Sequence, residues 1–167
     1  IGDIPVHVEF YSGPEAVAEE KSRLIQSIPS DGWAILNFDD LSVYEMHKKS
    51  RGKVIAYGFG EGADMKISEY TLRSHGIGFR LEYQGSLVPV RLDRCFGKPQ
   101  AYTAAAAAAV GVALGLNLIE IADALQAYEA PPHRMKLVKG VKDTWIIDDT
   151  YNASPLSMHA ALETLRD

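Results

Sequence analysis

One lysine occupies a position where an apolar side chain is expected. Lys21 lies four residues after Val17, and three and four before Leu24 and Ile25, which puts it on the apolar face of a predicted helix. The aliphatic stem of such a lysine can cover hydrophobic surface while its amine reaches water. Alternatively, burial beside a polar site lowers the pKa of a lysine and makes its amine reactive. The pattern alone leaves both interpretations open.

A histidine and a carboxylate lie two residues apart in the first predicted strand. His7 and Glu9 therefore point to the same side of an extended chain. Together they could bind a divalent metal, although a pair of solvent-facing side chains has the same spacing. The strand precedes the helix that carries Lys21, so in a crossover unit its carboxyl end could approach that helix.

Polar residues also follow the last predicted strand and a predicted hinge. Asp148 and Asp149 close an apolar strand at 145–147, and adjacent strand residues face opposite ways, which predicts different roles for the two carboxylates. Ligands bind at the carboxyl ends of strands in open α/β sheets, but acids also form turns there. Arg134 follows a double proline, where it could hold a phosphate through two hydrogen bonds or be an ordinary surface charge.

Several catalytic signatures are missing from the sequence. Gly58, Gly60 and Gly62 lack the following Lys-Ser/Thr of a phosphate-binding loop, so they predict a flexible loop. The sequence has no G-x-S-x-G and no H-E-x-x-H motif. The single Cys95 excludes an internal disulfide and a cysteine-rich zinc site, and favours a reducing, cytoplasmic setting.

Composition and length argue against a nucleic-acid-binding protein and against a membrane-spanning one. The chain has 167 residues, with 17 Lys+Arg against 22 Asp+Glu and a net charge of −5. An acidic balance without clustered basic residues argues against a nucleic-acid surface. No apolar run reaches the roughly 18 residues of a membrane span. The length allows one domain, or one domain and part of another.

Strands and helices alternate in the first part of the chain. Ser12 and Glu15 predict a capping box at the start of the first helix. Alternating elements, with strands at 33–37 and 53–57 and a short helix at 41–49, indicate a parallel sheet with helical crossovers. Residues 65–92 then alternate apolar and polar side chains between turn signals, which predicts a small antiparallel meander. The predicted fold is therefore α/β, with a mostly parallel sheet and this meander.

The second part of the sequence predicts two helices, at 102–116 and 118–128, followed by a hinge. The hinge is predicted at 129–132, because the two consecutive prolines at its end break any helix. A hairpin of strands at 135–138 and 144–147 is predicted beyond them, and Ser154 and Pro155 start a last helix. We expect a domain boundary at Pro132, with 1–132 in one domain and 133–167 at the beginning of a second α/β domain.

Several segments resemble one family, the Mur ligases, which are ATP-dependent amide-forming enzymes of peptidoglycan synthesis. Residues 148–155 (DDTYNASP) resemble the D-D-S-Y-N-A-N-P motif of members that add D-alanyl-D-alanine. Residues 34–40 (AILNFDD) resemble the family's A-V-L-N-A-D-D strand end, and residues 6–9 and 18–21 resemble its H-L-E and A-x-x-K segments. The resemblance extends over essentially the whole chain.

The resemblance implies roles for individual residues. His7 would bind a magnesium ion, and Lys21, as an N-carbamate, would belong to the same catalytic metal site. Arg134 would contact ATP near the phosphates, and Asp149 near the ribose or metal. Tyr151 and Asn152 lie beside them in the motif.

The family's adenine-binding segment, G-x-H-N-x-x-N, departs most from its pattern here. Residues 97–103 read GKPQAYT. Gln100 can still offer an amide to the adenine, whereas Thr103 cannot and Pro99 replaces the histidine. Thr150 and Ser154 replace Ser and Asn of the second motif, which is a milder change.

The implied reaction has two steps. ATP phosphorylates the terminal carboxylate of a UDP-N-acetylmuramoyl tripeptide, and the amine of D-alanyl-D-alanine then attacks the acyl phosphate. The family's phosphate loop would precede Ile1, so we expect these residues to be a fragment of a longer, monomeric, cytoplasmic enzyme and to be inactive alone. The alternatives are another Mur-type or folylpolyglutamate-type ligase, or a non-catalytic nucleotide-binding or structural module.

Overall fold

Parallel and antiparallel strand pairs share one five-stranded sheet. The computed structural model describes residues 13–166. Strands β1 (Trp33–Asn37), β2 (Lys53–Gly58) and β3 (Met65–Arg73) pair in parallel, and β3, β4 (Gly76–Tyr83) and β5 (Ser86–Asp93) pair antiparallel, in the order β1-β2-β3-β4-β5. The predicted α/β fold is confirmed, and the meander is continuous with the parallel strands.

An alanine-rich helix covers this sheet. Helix α3 (Lys98–Ala113) packs on β1, β2 and β3, and small side chains let its backbone approach the strands closely. Its buried alanines join the apolar side chains of the sheet, together with helix α4 (Leu118–Leu125), in one core. The helix begins four residues before the predicted start, because Pro99 fits the first turn of a helix and Gly97 precedes it with φ +83°.

Helix α1 (Pro14–Gln26) buries a stripe that only partly overlaps the predicted one, which included Ile25. Lys21 is exposed and Leu24 is 72% exposed, whereas Ser22 and Ile25 are buried. The buried side packs on the 3-10 helix Glu45–Lys49, which follows the short helix α2 (Leu41–Tyr44). The prediction that Lys21 lies on the buried apolar face was therefore wrong. The helix begins after Gly13 without a side-chain cap, and Ser12 lies outside the described residues.

The last part of the chain forms a small second sheet and a helix. Strands β6 (Lys136–Lys139) and β7 (Trp145–Asp148) form the predicted antiparallel hairpin, around a 3-10 turn at Val141–Asp143. Helix α5 (Pro155–Arg166) follows and touches α3. The domain boundary at Pro132 stays a prediction. None of the helices within residues 13–166 has the length and apolar character needed to cross a bilayer.

Candidate functional site

A cleft of about 500 Å³ opens between three separate parts of the chain. These parts are the first turn of α3, the segment that leads to β6, and the segment from the end of β7 into α5. Four residues that the sequence analysis proposed for cofactor binding, and that are distant in sequence, line it together. They are Gln100, Arg134, Asp149 and Asn152. Tyr151 does not line the cleft, but its ring contacts the guanidinium of the lining residue Arg134.

Hydrogen bonds join the end of β7 and the residues that follow it to the residues before β6. Nδ1 of His133 lies 3.0 Å from Oδ2 of Asp148 and 3.0 Å from the hydroxyl of Thr150. That hydroxyl donates to Oδ1 of Asp148 at 2.7 Å, and the Tyr151 N–H donates to the His133 carbonyl at 3.2 Å. The Thr150 hydroxyl, and then His133, hold the pKa of Asp148 below its usual value. His133, which follows the double proline, and the acidic motif are therefore one hydrogen-bonded unit.

The backbone around Arg134 is held from both sides. His133 and Met135 have left-handed φ values of 65° and 52°, which are uncommon for residues with side chains. The Met135 N–H donates to Oδ1 of Asp149 at 3.1 Å, so this carboxylate binds the strand start opposite it. Adjacent Asp148 and Asp149 thus have different partners, as the strand geometry predicted.

Gln100 is buried, and both ends of its amide have partners. Its Nε2 donates to the Arg134 carbonyl at 3.1 Å, and its Oε1 accepts from the Tyr128 hydroxyl at 2.8 Å. The hydroxyl of Thr103 donates back to the Pro99 carbonyl at 3.0 Å. Tyr128 therefore belongs to the site, although no motif in the sequence marked it.

Two serines organise the cleft side of α5. The Ser157 N–H donates to Oγ of Ser154 at 3.2 Å, and the Ser154 N–H donates to Oγ of Ser157 at 2.9 Å. This exchange caps the helix and confirms that Ser154 and Pro155 start it. Asn152 precedes the cap, and its Oδ1 accepts from the Ala153 N–H.

Asp39 organises a second set of contacts near the start of α3. Its carboxylate accepts from the backbone N–H groups of Phe59 and Gly60, at 2.6 and 2.9 Å, and from the Tyr102 hydroxyl at 2.7 Å. Burial, and then Asp39, raise the pKa of Tyr102. A Cβ on Gly58 would lie 2.5 Å from the Asp39 carboxylate, so the glycines permit a close approach. Gly58 is the last residue of β2, and Asp39 holds the backbone of the next two residues of the predicted loop.

The predicted metal ligands are not brought into this cleft. His7 lies outside the described residues, and Lys21 is exposed on α1 and does not line the cleft. Within residues 13–166 no three His, Cys, Asp or Glu side chains cluster so as to hold a metal ion.

Comparisons with known proteins agree on one family. The Mur ligase middle domain matches residues 4–111. UDP-N-acetylmuramoyl-tripeptide–D-alanyl-D-alanine ligase of Mycobacterium bovis is 33% identical over 95% of this chain and 31% of its own length. UDP-N-acetylmuramate–L-alanine ligase of Aquifex aeolicus is 30% identical over 96% of this chain and 35% of its own length.

Solved structures with the same fold include two of MurF. The crystal structure of MurF from Acinetobacter baumannii has a TM-score of 0.87 and 28% identity, covering 99% of this chain and 36% of that one. MurF from Thermotoga maritima in complex with ADP has a TM-score of 0.80 and 25% identity, covering 96% and 36%. The chain thus spans about a third of the length of the relatives it matches. A match over more than half of its residues shows that the chain belongs to the Mur ligase family.

Proposed function

We propose that this chain supplies the nucleotide cleft of an ATP-dependent ligase in peptidoglycan precursor synthesis. The proposed reaction joins D-alanyl-D-alanine to a UDP-N-acetylmuramoyl tripeptide in the cytoplasm, with the enzyme as a monomer. One observation carries the proposal: Gln100, Arg134, Asp149 and Asn152 come from separate segments and line one cleft. A relative with this fold was crystallised with ADP.

The cleft residues fit an adenine nucleotide. Arg134 offers a guanidinium for phosphate oxygens, whereas Asp149 and Asn152 offer acceptors and donors for ribose hydroxyls. Pro99 and Pro131 provide apolar walls for a flat base. The volume falls within the roughly 300–1,000 Å³ of small-molecule sites. ATP, when bound, would supply the phosphoryl group that activates the carboxylate substrate.

Asp149 is proposed to act on both the protein and the nucleotide. Its Oδ1 accepts from the Met135 N–H, which fixes the carboxylate in the wall of the cleft. Its Oδ2 is then the oxygen proposed to face a ribose hydroxyl. A fixed acceptor of this kind loses little rotational freedom when the ligand binds.

Magnesium binding by His7 and Lys21 is proposed on the family resemblance alone. The exposure of Lys21 does not provide the burial that would favour a neutral, carbamylated amine. The described residues form no metal cluster, so we derive no step of the reaction from the metal.

Nucleotide binding can be tested by calorimetry with ADP on the full-length protein. We expect Arg134→Ala to weaken ADP binding roughly 10- to 100-fold, as for the loss of a charged hydrogen bond. Arg91→Ala is the matched control, because Arg91 is exposed on β5 and outside the cleft. Absence of saturable ADP binding by the unaltered protein would overturn the proposal.

A second candidate reaction is the addition of L-alanine to UDP-N-acetylmuramate, since a relative with that name is 30% identical. The motif at 148–155 favours the dipeptide reaction, because it resembles that of the D-alanyl-D-alanine-adding members. The two candidate reactions can be distinguished by measuring phosphate release by the full-length protein with ATP and each pair of substrates. Turnover only with the tripeptide and D-alanyl-D-alanine supports our proposal, and turnover only with L-alanine supports the second candidate.

A further inference from the structure

The amide of Gln100 joins two walls of the cleft. It lies in the first turn of α3, and its Nε2 reaches the backbone carbonyl of Arg134 at 3.1 Å. A carbonyl can only accept, so the nitrogen end of the amide must face it. The oxygen end then faces the Tyr128 hydroxyl, which donates to it at 2.8 Å. Burial raises the pKa of Tyr128, so this hydroxyl keeps the proton that it donates.

The position of Gln100 suits a support better than a ligand contact. Only 4% of the residue is exposed, and its two amide ends are occupied by protein groups. Each end of the amide keeps one further hydrogen-bonding position, but a nucleotide that drew the amide away would leave the Arg134 carbonyl or the Tyr128 hydroxyl without this partner. Such a loss is costly at a buried site.

The residue that Gln100 holds has an unusual backbone. Arg134 lies between two non-glycine residues with left-handed φ, His133 and Met135. Such conformations cost free energy and persist only where surrounding contacts enforce them. The Gln100 bond to the Arg134 carbonyl is one such contact, and the Asp149 bond to the Met135 N–H is another.

We propose that Gln100 is a positioning residue that acts on the nucleotide through Arg134, with Tyr128 fixing its amide. This inference rests on the proposed nucleotide function. It differs from the adenine contact expected from the sequence, because Gln100 then affects phosphate binding and has little effect on the base.

The test compares ADP with adenosine as probes of the full-length protein. We expect Gln100→Met, which roughly keeps the side-chain volume, to weaken ADP binding roughly tenfold, the effect of one buried hydrogen bond. Adenosine binding should stay within about twofold, since adenosine has no phosphate for Arg134. An equal loss for both probes would assign Gln100 to the base or ribose and overturn the inference.

A double-mutant cycle tests whether Gln100 acts through Arg134. In the Arg134→Ala background, Gln100→Met should cause no further loss of ADP affinity, because the group that it positions is gone. Additive losses would overturn the inference. Gln126→Met is the matched control, since Gln126 is an exposed glutamine at the end of α4, away from the cleft. It should bind ADP as the unaltered protein does.

Two further measurements test the positioning role of Gln100 even if Gln100→Met destabilises the protein or if ADP does not bind. Tyr128→Phe removes only one bond to Gln100 and should weaken ADP binding in the same direction but less. The Nε–H NMR signal of Arg134, recorded without nucleotide, should shift in Gln100→Met. An unchanged signal contradicts the positioning role, whereas a shifted signal without any ADP binding contradicts only the nucleotide proposal.

Discussion

The guanidinium of Arg134 lies over the ring of Tyr151, with its central carbon 3.9 Å from the ring centre. A cation over an aromatic face is attracted by the negative charge of the ring face. A guanidinium in such a contact still carries five N–H donors, which phosphate oxygens can accept. Tyr151, which is 67% exposed, therefore orients the arginine side chain while Gln100 holds its backbone.

We predict that Tyr151 contributes to ADP affinity through its ring and not through its hydroxyl. Tyr151→Phe keeps the stacked ring and should bind ADP normally. Tyr151→Leu should weaken binding roughly 2- to 5-fold, which corresponds to an exposed cation–π contact. Calorimetry on the two variants decides, and an equal loss in both would contradict the stacking role.

Asp39 is predicted to stabilise the junction of the 58–62 loop with α3. Asp39→Ala removes the acceptor for two backbone N–H groups and the Tyr102 hydroxyl. We expect a loss of about 1–3 kcal/mol in the free energy of unfolding, measured by urea denaturation. Asp31→Ala, at an exposed turn before β1, is the control and should change stability by less than about 0.5 kcal/mol. Equal effects of the two substitutions would contradict the role of Asp39.

Tyr102 should make the protein sensitive to alkaline pH. Burial and Asp39 raise its pKa in the folded state, so the unfolded chain loses the phenolic proton first as pH rises. Stability is therefore present below a pH of about 10, the unfolded pKa of tyrosine, and is lost above it. Burial raises the pKa of Tyr57 as well, which adds to the loss.

The measurement is the free energy of unfolding between pH 8 and 11 in roughly half-unit steps. Tyr102→Phe should lose less stability than the unaltered protein across this range, because one of the shifted groups is gone. Tyr83→Phe, at the end of β4 and without contact to Asp39, should follow the unaltered protein. Parallel curves for all three proteins would exclude Tyr102 as a source of the pH dependence.

Thr150 is predicted to set the acid titration of Asp148. Its hydroxyl is the main cause that lowers the pKa of this carboxyl. The stability that this lowered pKa provides is present above the unfolded value, about 3.9, and is lost as pH falls through the folded pKa. Thr150→Val should therefore raise the pKa of Asp148, followed by the NMR shift of its carboxyl carbon. Thr144→Val is the control, since Thr144 donates to the Val141 carbonyl, and the same midpoint in both variants would refute the assignment.

The fold could be predicted largely because its signals are local. Hydrophobic alternation and two-residue turns identify β3, β4 and β5, and Ser154-Pro155 identifies the start of α5. Helix α1 shows the limit of this reasoning. Spacing placed Leu24 and Ile25 on the apolar face beside Lys21, but Ser22 and Ile25 are the residues that are buried where the helix packs on the 3-10 helix. Spacing identifies a helix, whereas the partner it meets decides which face is buried.

The cleft was less predictable, because its contacts join residues that are distant in sequence. Asp149 and Asn152 belong to a recognisable motif and Arg134 follows the double proline, and the three line the cleft together. Gln100 was assigned from its place in the segment 97–103, which resembles the family's adenine-binding pattern. Its two partners, the Tyr128 hydroxyl and the Arg134 carbonyl, depend on how α3 packs against residues 128–134. Asp39 lies in a recognised segment, residues 34–40, but only the packed structure shows that the Tyr102 hydroxyl donates to it.

The order of the strands in the main sheet has a consequence for folding kinetics. Each strand from β1 to β5 pairs with its neighbour in sequence, and two-residue connections join β3, β4 and β5. Closing such short loops costs little chain entropy, and local contacts favour fast folding. We therefore expect the β3–β5 hairpins to be ordered in the folding transition state. Helix α3 and the segment that leads to β6 should pack against them afterwards.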